Sequence, residues 1–243
     1  MTTDTNTSPV PEPSTGLVRE WTACALVRAA TRFLPVPFLD DAVAERATRT
    51  VVSRTLRAQG RSYAAPALEP LYRDEGARRR GFAARAVRKV LFFPVRKYTK
   101  VITAVHGVPN DVARVLLLGR ATHRRLALGE LAGPAGDQLT QEATEVRAAY
   151  EKVVDEMDLR LLRGAVSDGL GQVKDLTGSV LSFARRRFTR SSEDAEAAAQ
   201  APEGAVAEGA EQVQQALDRP EVVRLLEEFD RRMDERLARV RAA

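Results

Sequence analysis

Cysteine is all but missing from this chain of 243 residues. Cys24 stands alone, which excludes an internal disulfide and suits a reducing compartment. Aromatic residues make up only 5% and histidines number two. Lysine is scarce as well: of 38 basic residues only Lys89, Lys97, Lys100, Lys152 and Lys174 are not arginine. No apolar run approaches the roughly 18–20 residues of a spanning helix, and Leu91–Val95 and Val115–Leu118 are the longest candidates. A membrane contact would therefore lie on the surface. The first residues, MTTDTNTSPVPEPSTG, show neither a basic leader nor an apolar core of a secretory signal. These features set a cytoplasmic expectation. No alternation of Val, Ile, Thr and aromatics is long enough for a strand.

Signatures of chemistry are missing too. There is no HExxH, no GxxxxGK[ST] loop and no GxSxG elbow. His106 and His123 are not joined by metal-ligand spacing. Gly169-Leu170-Gly171 opens like a dinucleotide fingerprint, but Lys174 occupies the third glycine's place and no strand precedes it. Glu151, Asp155, Glu156 and Asp158 cluster among Arg147, Lys152 and Arg160, the pattern of a solvated helix face. Cys24 falls on an apolar helix face without a partner base nearby in sequence. The expectation is a protein that is not an enzyme, with no cofactor, metal or small-molecule substrate.

Ala, Arg, Leu and Glu dominate what remains, which favours helix. The expected fold is all-α, a bundle of about six to seven amphipathic helices. Residues 1–16, rich in proline, read as a disordered tail, and 17–190 as the helical body. Within it, 17–130 forms a basic multi-helix part. Its first helix, from Leu17 to Phe33, stops at Leu34-Pro35-Val36-Pro37, because a proline disfavours helix in the residue before it. Val43, Ala47, Thr50, Val51 and Thr55 stripe a second helix, stopped by Gly60. A short piece follows from Ala67 to Asp74. Gly107 and Pro109 read as the end of another helix, with Asn110 or Asp111 capping the next.

Residues 137–190 read as a hairpin with a turn near Gly164. Its seams are Leu139, Ala143, Val146, Tyr150, Val153, Met157 and then Val166, Leu170, Val173, Thr177, Val180, Ala184. Residues 191–217 read as an acidic Ala/Gly-rich linker with partial helicity. Residues 218–243 form a C-terminal amphipathic helix opened by Asp218-Arg219-Pro220-Glu221. Its stripe of Val222, Leu226, Phe229, Met233 and Leu237 needs the body, a second copy or a protein partner to cover it.

Charge is divided unevenly. Residues 77–130 carry 13 basic and two acidic residues, whereas 191–243 carry seven and 13. The stretch RRRGFAARAVRKVLFFPVRKYTK at 78–100 has nine Lys/Arg and no acid. Arg78, Arg79, Arg80, Arg85, Arg88, Lys89, Arg96, Lys97 and Lys100 supply the charge. Phe82, Leu91, Phe92 and Phe93 supply apolar and aromatic surface beside it. A basic rim, an apolar face and terminal aromatics suit an anionic membrane surface. The functional expectation is thus a non-catalytic helical adaptor or scaffold, peripheral at the inner face of the membrane, with protein partners or further copies bound through helical seams. The alternative is a nucleic-acid-associated protein whose acidic C-terminal region competes for the basic centre. A third reading leaves these charges simply solvated on a bundle helix.

The segment FLPVPFLDD at 33–41 resembles the Ile/Leu-Pro-x-Pro-Phe-x-Asp elements of some bacterial helical domains that associate with membranes or small GTPases. The match covers nine residues, and a proline-enforced turn between two helices accounts for it.

Overall fold

The computed structural model describes residues 10–30, 39–61, 66–73, 107–131, 133–174, 176, 178–180, 182–183 and 202–242. Among these residues eight helices have both ends described, further helical residues lie at 176, 178–180 and 182–183, and there is no strand, so the fold is all-α. They are α1 (Thr15–Ala30), α2 (Leu39–Ala58), α3 (Glu69–Tyr72), α4 (Val108–Ala127), α5 (Asp137–Glu156), α6 (Arg160–Gly171), α7 (Ala205–Leu217) and α8 (Pro220–Ala242).

α1 is not amphipathic. Every residue from Trp21 to Val27 is buried, as are Leu17, Val18, Ala29 and Ala30. A helix apolar all round belongs inside a bundle, and α1 is flanked by α2, α4 and α7. Its bulk is placed by Trp21. The indole Nε1 donates to Thr55 Oγ1 on α2 at 2.9 Å, and that hydroxyl donates in turn to the Val51 carbonyl at 2.7 Å. Arg28 reaches Thr48 Oγ1 at 2.8 Å in the same way. Small hydroxylated residues on α2 thus serve as both packing surface and polar anchor.

Local chemistry places several boundaries where sequence periodicity does not. Pro109 lies inside the first turn of α4, not at the end of a preceding helix. Helix N-termini tolerate proline because the missing N–H has no partner there anyway. Neither Asn110 nor Asp111 is the N-cap; Gly107 is. The break after α5 falls at Met157–Leu159, and Gly164 sits within α6. Asp158 organises that break, its carboxylate accepting from the Arg160 backbone N–H at 3.0 Å.

The hairpin of 137–190 does not close on itself. α5 packs on α3 and α8, whereas α6 packs on α7 and α4. The seam residues are buried as expected, Leu139, Ala143, Val146 and Tyr150 on α5 and Val166 and Leu170 on α6, but against other helices. The second helix of the pair is interrupted after Gly171, and helical residues recur at 176, 178–180 and 182–183, where Leu176, Val180 and Phe183 are buried. The linker expected over 191–217 is corrected over its described part. Residues 205–217 form α7, with Val206, Ala210, Val213, Ala216 and Leu217 buried against α6 and α1. Alanine and glycine here reflect close helix contact: a Cβ on Gly169 would lie 3.0 Å from the Gln212 backbone.

Gly119 shows the same constraint more sharply. A Cβ there would sit 2.6 Å from Trp21 Cδ2 and 2.8 Å from Cε2. The ring is 2% exposed and tied to Thr55, so it has nowhere to go. Gly119→Ala is expected to lower stability by about 1–3 kcal/mol through overpacking, despite the roughly 1 kcal/mol gain in helix propensity. Urea denaturation with intact far-UV helicity measures it; an increase in midpoint would show that α1 and α4 are not in contact at this point.

Candidate functional site: the charged seam between α4 and α8

The C-terminal half of α4 carries Arg120, Arg124 and Arg125, and α8 carries Asp230 and Asp234. Arginines and aspartates both recur four residues apart, one helical turn, so the two rows meet in register. Arg120 Nε and Nη2 grip Asp230 with three hydrogen bonds of 2.9–3.2 Å. Arg124 bonds Asp234 at 2.6 and 3.2 Å, and Arg125 also bonds Asp234. Paired residues advance together along both chains, so α4 and α8 run parallel here. Glu12, from the segment before α1, adds two bonds to Arg120 at 2.9 and 3.1 Å.

The seam continues beyond α4 because Gly129 ends that helix at a φ of 81°. Gly129 N–H reaches the Leu126 carbonyl at 3.0 Å and Glu130 N–H the Arg125 carbonyl at 2.9 Å, a paired closure that needs a left-handed residue. The turn aims Glu130 at two cations. It lies 3.4 Å from Arg125 and accepts both guanidinium bonds of Arg241, at 2.9 and 3.1 Å. Arg241 thereby sits in a groove of about 370 Å³ beside Glu142 and Glu145. Glu142 also accepts from the Leu131 backbone N–H at 3.0 Å, supporting a buried leucine with a φ of 52°.

Below these charges the apolar stripe of α8 is closed within the chain. Val222, Phe229, Met233 and Leu237 are each no more than 1% exposed, and Leu226 is half-buried against the same core. Phe229 meets Tyr150 of α5 edge-on with ring centroids 6.4 Å apart. Burying each such side chain contributes about 1.5–3 kcal/mol. Of the covers this stripe could take, the body, a second copy or a protein partner, the body supplies one, because α4, α5 and α6 offer a ready apolar surface.

The electrostatics follow burial. Burial pushes the Asp230 carboxyl above its ordinary range, and the Arg120 charge only partly offsets this. At Asp234 burial acts the same way, but the Arg124 hydrogen bond and the Arg125 charge outweigh it and leave the group lowered. The Asp234 side chain is 37% exposed and that of Asp230 9%, which decides the contrast. Tyr150, wholly buried, is pushed up to about 12 by desolvation, and its hydroxyl donates to the Arg114 carbonyl at 2.6 Å. A guanidinium paired to carboxylates is neither nucleophile nor base at neutral pH, so this seam fastens one helix to another.

The other sequence candidates fall as follows. Every residue of the proposed membrane segment, from Arg78 to Lys100, lies outside the described residues, as does His106. Glu151 pairs with Arg114 and Arg147, Asp155 with Arg114, Glu156 with Lys152, and Asp158 with Arg160. Cys24 is buried in α1. His123 is buried against Trp21. Among the described residues no group of three His, Cys, Asp or Glu is placed to hold a metal, and no helix is long and apolar enough to cross a membrane. The seam itself escapes a sequence reading, although the matched four-residue spacing of Arg120/Arg124 and Asp230/Asp234 is its one visible trace.

Asp230→Ala is expected to cost about 2–4 kcal/mol, because it leaves Arg120 and Arg124 facing each other with one carboxylate fewer. Glu12→Ala, at a side chain 72% exposed, is expected to cost under about 1 kcal/mol. A double-mutant cycle of Asp230→Ala with Arg120→Ala checks the pairing: the double variant should lose clearly less than the sum of the two single losses. No protein-family model, no curated protein and no solved structure matches this chain.

Proposed function

We propose that this protein is a non-catalytic helical scaffold that associates peripherally with anionic membrane through residues 78–100. The observation that carries the reading is the run of nine Lys/Arg without one acid, interleaved with Phe82, Leu91, Phe92 and Phe93. Lipid head groups supply the negative charge, and the acyl boundary accepts the apolar side chains, which phosphates of a nucleic acid do not.

The ion pairs of the helical body support the reading. Residues 77–130 hold 13 basic residues, of which four lie in α4. All four are neutralised within the chain: Arg114 by Glu151, Arg120 by Asp230 and Glu12, Arg124 by Asp234, and Arg125 by Asp234 and Glu130. The excess positive charge of the centre thus belongs to 78–100. Of the 13 acids of 191–243, five are meanwhile engaged in ion pairs. Asp230 and Asp234 hold α4, Glu211 pairs with Arg19, and Glu228 and Glu235 pair with arginines of α8 itself. These five are thereby held away from competition for a basic segment elsewhere.

Co-sedimentation with anionic and neutral vesicles at low and high salt tests the proposal. Binding is expected to anionic vesicles, weakened but retained at high salt. Arg85→Glu, Arg88→Glu and Lys89→Glu together should remove at least about 3 kcal/mol, on the order of a hundredfold in affinity, with far-UV helicity unchanged. A triple variant that still binds would place the membrane surface elsewhere. Absence of vesicle binding at either salt would sink the proposal, and a positive DNA shift on the same preparation would move the basic segment to nucleic acid.

A further inference from the structure

We propose that His123 is an acid-sensitive switch in the contact between α1 and α4, and that protonation of its imidazole opens the packing around Trp21. His123 lies on α4 one turn from Gly119 and is 6% exposed. Its ring stands edge-on to Trp21, centroids 6.3 Å apart at 71°. The indole is the chain's single tryptophan and is itself 2% exposed. Gly119 and His123 together form the surface of α4 on which Trp21 rests. A charge appearing on that surface is therefore felt at the most tightly packed point of the core.

The surroundings do not welcome a cation. Arg120, three residues earlier on the same helix, opposes protonation. Asp230 of α8 is already spent on Arg120 and Arg124, and Asp234 on Arg124 and Arg125. From α1 it is the indole that meets the imidazole. The charged side chains of α1 are engaged elsewhere, Arg19 with Glu211 of α7, Glu20 with Arg54 of α2 and Arg28 with the Thr48 hydroxyl of α2. Among the described residues Glu12 is the acid whose charge favours the imidazolium. It lies before α1, is 72% exposed, and already holds Arg120. A protonated His123 can draw on Glu12, whose two oxygens already hold Arg120, or it can move out to water by giving up its place against Trp21. The second route opens the contact between α1 and α4.

Burial, with Arg120, holds the imidazole below its ordinary value and outweighs Glu12. The neutral form is thus the one the fold prefers. That contribution to stability is complete above the ordinary histidine value of about 6.5 and is lost as the pH falls below it. Acidification through the range in which histidine ordinarily titrates should therefore act here.

Acrylamide quenching of Trp21 fluorescence in the full-length protein tests the switch, because it reads access to the indole and not mere contact with an imidazolium. Between about pH 8 and about pH 5 the quenching constant is expected to rise several-fold in the native protein and to stay flat in His123→Gln, with far-UV helicity retained in both. A flat constant in the native protein, or an equal rise in the variant, would overturn the proposal. Should His123→Gln fold poorly, His106→Gln leaves His123 as the only imidazole for NMR titration. Its ring signals are then expected to titrate together with the Trp21 indole N–H. A His123 titration that leaves the indole resonance unmoved would equally overturn it.

Discussion

A helix with apolar side chains on every side has to be wrapped, and the arrangement of this protein follows from wrapping α1. Once Trp21 is inside, the neighbours must fit it. α2 provides a hydroxyl for the indole nitrogen, and α4 gives up a side chain at Gly119 so that the ring can lie against its backbone. α7 closes the remaining side with alanine and glycine, which let two backbones approach. The α8 helix then covers outer surfaces of α4, α5 and α6 with Val222, Phe229, Met233 and Leu237 buried and Leu226 half-buried.

The legible parts of this fold were those governed by one helix at a time. The α8 stripe, the α2 stripe and the stop at Gly60 follow from periodicity and from the left-handed φ of 67° that glycine takes there. Partners were harder to read. The seams of α5 and α6 are real, but nothing in their spacing says that α3, α8, α7 and α4 cover them. α7 looked like a linker because alanine and glycine are low in both hydrophobicity and bulk; that same smallness permits close packing once a neighbour is present. Pro109 was misread because a proline marks a helix start as readily as a helix end. Of the candidate site, the α8 stripe was visible as a surface to be covered, whereas the charged seam was not. Any Arg four residues from another matches any Asp so spaced, and this chain is rich in both.

Charge in this molecule therefore has two levels. Within the body it is arranged as pairs, and the pairs fasten helices: Arg147 to the Leu71 carbonyl, Arg114 to Glu151, Arg120 to Asp230. The net figure of +5 describes neither level well. It is the remainder after a strongly basic stretch has been set against an acidic end, five of whose carboxylates are paired with arginines.

The seam between α4 and α8 joins residues 110 positions apart. At a synthesis rate of roughly 5–20 residues per second, Asp230 leaves the ribosome on the order of ten seconds after Arg120. During that interval α4 carries its arginines and its apolar surface without the helix that covers them. α1 waits for α7, and α4 waits for α8. The order of birth along the chain thus runs opposite to the order in which its core can be completed, and the nascent protein must remain soluble through that delay by means other than its final fold.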